Sequence, residues 1–594
     1  DEDFPRFVWD TASTMMSPRS TKFLWILQLL VIGNVPLVFS SVKPYPLSWN
    51  TTHDFGYDGP WHAIPLRIGR PEQTINLYPG GSWASVVLGT HIQDAWGNDY
   101  PNQDWLKGSE VWDASLSAPQ RSGSSQNNNI AQANRGGVSG SIDGNWGGQV
   151  AMNMTGLGVQ ITDRVYFYTP DNGIAIPNGT LSVLASANMT YPDGKVVPLD
   201  MGFLSLGARE AQRWDPYVGN VIPDYLSING YTPSSSWSLH IGSAVMGIPG
   251  SLIFGGYDST RVIGDIGTYD TTDGFGGMFT ELVDVQLGVA SGSGSPWSFQ
   301  NKTNLLQDAG SKTQVITTRM NPTVPYIFLP NRTCQLLAEN LPVTWRWDLG
   351  LYTWNTEDPQ YERILNSPAY IKFVFNRPAG ASPIEIRVPF ALFNLTLTQP
   401  IVDRPTQYFP CRPFQNNGAE YHLGRAFLQA AFLGMNWVTS KWWLAQAPGP
   451  LGLASSIVVI SNSTETITTS APSSFWTDSW KGILTSLPID GNPSSSGSSF
   501  QPSSAGNGTE SKGALSSGAI AGIAVGASVG GVLILGMLFF FWRTRRTRFT
   551  KQIPSPTVSQ AQPTTPANTS TDAQKYELPD RQPVAYELMS REQY

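Results

Sequence analysis

The sequence predicts an all-β, turn-rich domain held outside a membrane by one C-terminal helix, and three observations carry that prediction. Its 594 residues include 58 Gly and 45 Pro, with 11% aromatic and only 14% charged residues, a composition of short aromatic strands rather than of helices. Short apolar or alternating runs, such as "SLIFGGYD", "AYIKFVFN" and "IEIRVPFALFNLTLT", recur between Gly, Pro, Asn and Ser clusters, as strands joined by turns do. Near the C-terminus, "GAIAGIAVGASVGGVLILGMLFFFW" is long and apolar enough to span a bilayer.

Taken in order, residues 1–14 precede the first methionine and are expected to be a gene-model artefact. Residues 15–41 place Arg19 and Lys22 before an apolar run, with Val38 and Ser40 suited to a cleavage site, the pattern of a secretory signal. An uncleaved anchor is the alternative, although Gly33 and Pro36 interrupt the run. Residues 42–450 read as the folded domain. Helical patterning there is scarce: "CQLLAENL" and "RAFLQAAFLG" are the best candidates, and the second suits a strand equally. Residues 451–513 turn rich in Ser, Thr, Pro and Gly and read as an extended, O-glycosylated stalk. Residues 518–542 form the expected membrane helix. The basic "RTRRTRFTK" after it places the polar, Pro-rich tail 543–594 in the cytosol. The protein is thus expected in the plasma membrane or a secretory-pathway membrane, single-pass, with its N-terminal domain outside.

Nine N-x-S/T sequons precede the span: Asn50, Asn153, Asn178, Asn188, Asn301, Asn331, Asn394, Asn462 and Asn507, and a secretory route makes them glycosylation sites. Cys334 and Cys411 are the only cysteines. In an oxidising compartment a lone pair bonds to itself, and closing so long a loop is worth about 4–5 kcal/mol in the chain-entropy account. The net charge of −7, with no basic face before the span, excludes nucleic acid as a partner.

Four stretches, in this order and spacing, resemble the pepsin-like aspartic proteases, in particular their fungal, membrane-anchored branch. They are "LRIGRPEQTINLYPGGSWASVVLG", "MGFLSLG", "SWSLHIGSAVMGIPGSLIFGGYDSTRVIGD", and "TVPYIFLPNRTCQLLAENL" with "YHLGRAFLQAAFLGMNW". The resemblance implies a bilobal β fold with a central cleft, the N-lobe at about 54–215 and the C-lobe at about 230–450. It also implies one Asp-Thr/Ser-Gly loop per lobe, whose two carboxylates share a proton and activate a water.

Laid on that pattern, the first loop falls on Pro79, Gly80 and Gly81, followed by Ser82, and the second on Asn321, Pro322 and Thr323. Both catalytic aspartates are replaced, and no Asp-Thr-Gly or Asp-Ser-Gly occurs anywhere in the chain. An asparagine keeps the shape of aspartate but carries no negative charge. The expectation is a pseudoprotease without cofactor or metal, holding a peptide or cell-wall polymer in its cleft. An endopeptidase working through atypical residues and a structural surface glycoprotein are the alternatives. The Gly-rich residues 136–148 suit the flap that closes over such a cleft, with Ile142 or Trp146 lining it, or an ordinary hairpin tip.

Weaker signals complete the reading. The five histidines (His53, His62, His91, His240 and His422) show no metal-ligand spacing. "GASVG" matches a serine-hydrolase pattern only inside the apolar span. Gly518, Gly522, Gly526 and Gly530 share one face of the membrane helix, a surface suited to homodimer packing. In the tail, Tyr586 and Met589 fit a Tyr-x-x-apolar sorting signal, and the basic cluster suits contact with anionic lipid.

Overall fold

The computed structural model describes residues 42–80, 83–92, 110–116, 148–168, 173–208, 219–271, 277–308, 310, 312, 314–414 and 421–489. Strands dominate them, and the helices are short. The expected signal, flap, membrane helix and tail lie outside the described residues, as do Gly81, Ser82, Ile142, Trp146 and Asn507. Among the described residues no helix is long and apolar enough to cross a membrane.

Three large sheets carry the fold. A nine-stranded sheet draws all its strands from residues 50–204. Its spine is the antiparallel pair Met154–Tyr168 and Gly173–Thr190. Trp61–Ile68 and Gln73–Pro79 form a hairpin beside it. Trp61 and Ala63 on one face and Ile64, Leu66 and Ile68 on the other are all buried, and only Arg67 is exposed, the pattern of a strand covered on both faces at its start. An eight-stranded sheet draws its strands from residues 279–423. Ala369–Phe375, the predicted "AYIKFVF" strand, is almost wholly buried in it, as its apolar run requires.

The six-stranded sheet is assembled from distant parts of the chain. Tyr45–Pro46 pairs with Ser251–Phe254, which pairs with Ser236–His240, and Ala431–Asn436, Lys441–Gln446 and Ile263–Asp270 complete the order. Trp237, Met435, Trp442 and Leu444 from this sheet join the main core. The ambiguous "RAFLQAAFLG" resolves into both of its options, a helical turn Arg425–Leu428 and then the strand Ala431–Asn436. Cys334, on the helix Asn331–Ala338, is bonded to Cys411 at the start of Cys411–Phe414. Both are buried, so the bridge pins that helix to the edge of the eight-stranded sheet.

The expected stalk requires a correction. Residues 451–489 are not an extended spacer but a strap packed on the domain. Ile457–Val459 adds a strand to Gly256–Asp258. Ile460 and Ile467 then sink into a cluster with Tyr257, Phe432 and Trp443. Asn436 Nδ2 donates to the carbonyls of Ser461 and Thr464 (3.0 and 2.9 Å), and Trp443 Nε1 donates to that of Glu465 (3.0 Å). Trp476 and Trp480 on the following turn are 2% and 5% exposed. The physical reason is that a few large side chains suffice. Each buried indole removes some 150–250 Å² from water, while the Ser and Thr around it hydrogen-bond the backbone. The truncation at Pro450 that composition suggests is therefore expected to uncover Phe432 and Trp443 and to aggregate, whereas one at Ile489 stays soluble. Trp476→Ala is expected to cost about 3 kcal/mol in denaturant unfolding.

Candidate functional site

The two loops that the sequence singles out meet. Gly80, at φ +99°, follows the strand Gln73–Pro79, and a Cβ there would collide with the ring of Pro322. Only glycine takes that backbone angle and leaves that space, so this contact explains the glycine after Pro79.

The same local topology leads to both loops. One strand runs in (Gln73–Pro79; Ile316–Met320) and one runs out (Ser85–Thr90; Ile327–Pro330). A short later strand (Phe203–Leu204; Tyr421–Leu423) threads between them, parallel to the first and antiparallel to the second. Gly424 ends the second threading strand where a Cβ would strike the carbonyls of Val324 and Tyr326. "MGFLSLG" and "YHLGRAF" are these threading segments.

At the second loop Asn321 is buried and committed to the turn. Its Oδ1 accepts from the backbone N–H (3.1 Å) and the hydroxyl (2.5 Å) of Thr323, and its Nδ2 lies 3.4 Å from Nδ1 of buried His422. The carboxamide thus does the turn-holding that an aspartate would do, without supplying a charge. At the first loop Pro79 is buried, the last residue of its strand, and offers neither acid nor donor.

Beneath the loops lies a charged cluster that the sequence reading did not single out. The Arg425 guanidinium donates to the carbonyls of Thr323 (3.0 Å) and Pro322 (3.3 Å) and comes within 3.5 Å of Asp58 Oδ1. It lies over the ring of Tyr78 (4.0 Å to the centroid) and near that of Trp61 (5.1 Å), where the aromatic faces favour a cation. Trp61 Nε1 donates to Asp58 Oδ1 (2.7 Å), and the Tyr78 hydroxyl donates to Asp200 Oδ2 (2.7 Å). The Tyr408 hydroxyl donates to the Asp58 carbonyl (2.6 Å), and those of Tyr191 and Tyr326 stand 3.1 Å apart. Asp200 directly precedes "MGFLSLG" and Arg425 sits inside "YHLGRAF". Both were in view, but neither forms a local motif with its partners.

Asp58 stands close to the Arg425 guanidinium, while Asp200 feels its charge only at a distance. Burial first, and the Asp58 carboxylate second, push the Asp200 carboxyl up to about 6 against the pull of Tyr78 and Arg425. Burial also raises the hydroxyls of Tyr78, Tyr191, Tyr326 and Tyr408, keeping them neutral donors. His240 is held down to about 3, by burial and then by Arg261. Among the described residues no group of three or more His, Cys, Asp or Glu side chains could hold a metal ion.

No family model matches the chain, and no curated protein matches it.

The cluster generates two predictions. A folded carboxyl with a raised pKa holds its proton more tightly than the unfolded one. Its contribution to stability is therefore complete below the unfolded value and is lost as pH rises through about 6. Between pH 4 and 7 the native protein should lose about 2 kcal/mol that Asp200→Asn does not lose, read from denaturant midpoints. Arg425→Leu strands Asp58 as a buried charge and is expected to cost about 3–5 kcal/mol. Arg425→Lys should recover little of it, because one ammonium cannot serve both the carbonyls that Nη1 meets and the carboxylate that Nη2 faces.

Proposed function

We propose that the chain is a pepsin-like aspartic protease domain protein whose chemistry is silent, anchored in the membrane and holding an extended ligand in a cleft between two lobes. The observation that carries the proposal is the meeting of Gly80 with Pro322 at the ends of two equivalent threaded loops. There the mechanism needs two carboxylates, and the residues are Pro79 and Asn321. Losing one positioned acid or base typically costs about 10²–10⁴ in rate, and here both are gone. The ligand class is a peptide or cell-wall polymer, bound without turnover. The sequence features that support the setting are the signal-like segment 15–41, the apolar span 518–542 and the sequons. The glycine face of the span supports a homodimer.

Asp58 and Asp200, the acids of the buried cluster, are engaged by Trp61, Tyr78 and Arg425, which disfavours an endopeptidase working through atypical residues. A structural glycoprotein would bind nothing in the cleft.

The test is a peptide-cleavage assay on the secreted ectodomain, from about pH 3 to about pH 7, the range in which paired carboxylates share a proton. The native protein is expected to be inactive, and the Pro79→Asp, Asn321→Asp double variant to gain activity. Arg425, donating to the loop carbonyls from below, favours ionised carboxylates, so recovered activity should peak toward the acid end. Cleavage by the native protein that pepstatin abolishes would overturn the proposal.

A further inference from the structure

The helix Asn331–Ala338 presents two different faces. Thr333, Cys334, Leu336 and Leu337 are buried against the domain. Asn331, Gln335, Ala338 and Glu339 recur at helical spacing on the opposite side and line one wall of an open groove of about 470 Å³. The other wall is aromatic. Trp345 and Tyr352 are directly opposed across the hairpin of Val343–Arg346 and Leu351–Trp354. Their rings stand 4.9 Å apart and tilted by 58°, and Trp345 is 44% exposed. A volume of this order suits a small ligand, and the half-open indole offers it a flat apolar face.

The chemistry of the two walls is that of carbohydrate recognition. An indole face packs against the C–H face of a pyranose ring, while amide and carboxylate edges opposite it hydrogen-bond hydroxyl and N-acetyl groups. The groove also carries its own attachment point, because Asn331 is exposed on its wall and opens the sequon Asn331-Arg332-Thr333. The Thr333 hydroxyl, needed for transfer only before folding, ends buried and bonded to the backbone N–H and carbonyl of Gln307 (2.9 and 3.0 Å). Asn331, Trp345 and Tyr352 line the same groove, so a sugar on Asn331 starts on its wall.

We propose that an N-linked glycan on Asn331 folds back into this groove and stacks its first sugars on Trp345. The glycan is thereby a packed part of the ectodomain rather than a solvated antenna. The inference rests on the secretory part of the proposed function and is independent of the silent-protease part.

The test uses the full chain produced through a secretory pathway. Endoglycosidase is applied to the folded protein, and release is followed site by site by glycopeptide mass spectrometry. A stacking interaction of about 1 kcal/mol corresponds to roughly 3- to 10-fold slower release at Asn331 than at exposed Asn178 or Asn462. Trp345→Ala should bring Asn331 to the rate of those sites, while Asn331→Gln should shift tryptophan emission to longer wavelength as Trp345 is uncovered. Trp345 is largely exposed, so its replacement leaves the fold intact, and an unchanged thermal midpoint verifies that. Equal release at all sites, or no effect of Trp345→Ala, would overturn the proposal. Asn331 bare while other sequons are occupied would overturn it alone. Every sequon bare would overturn the secretory reading with it.

Discussion

The Arg425 guanidinium is the constraint on which the centre of this protein depends. A cation this deep costs several kcal/mol to desolvate, and the surrounding chain is arranged to offset that. Two loop carbonyls, one close carboxylate and two aromatic faces converge on it from Asp58, Trp61, Tyr78, Pro322 and Thr323. These residues come from the nine-stranded sheet and its approach on one side, and from the second loop on the other. Moving any one of them exposes the charge to an unsatisfied interior. The second loop is consequently tied to Tyr78 in the strand that leads to the first, with Gly80 fitted to Pro322.

Asn321 holds its turn through the same kind of oxygen that a carboxylate would use, and its nitrogen lies toward His422. Asp58 stands close to Arg425, whose guanidinium holds the carbonyls of the second loop. An uncharged amide beside a buried cation fixes backbone geometry there without supplying a carboxylate.

The strap at 451–489 extends the domain past the point where composition changes. Ser- and Thr-rich sequence is read as unable to bury a core, and averaged over the segment that is true. Burial is decided by individual side chains, however. Ile460, Ile467, Trp476 and Trp480 are spaced to reach existing hollows beside Phe432, Trp443 and Tyr370. Between them the Thr469 hydroxyl accepts from the Ala471 N–H and the Tyr257 hydroxyl accepts from the Thr468 N–H, which keeps the strap's backbone satisfied. A segment expected to space the domain from the membrane is instead part of its wall.

What the sequence determined by itself was local or covalent. Alternating and continuous apolar runs marked Ser251–Phe254, Ala369–Phe375 and Ile384–Pro389 as strands, because a strand's burial pattern is written in its own residues. The lone cysteine pair named its bond, because no other partner existed. The glycine turn after Pro79 was legible locally, whereas the loop at Asn321 was located only by resemblance to a family pattern. Tertiary structure alone decided what depends on distant neighbours. It decided that Asp58, Asp200 and Arg425 form one buried cluster, that "RAFLQAAFLG" divides between helix and strand, and that the strap docks. Charge balance in an interior is a sum over residues hundreds of positions apart, and no local period records it.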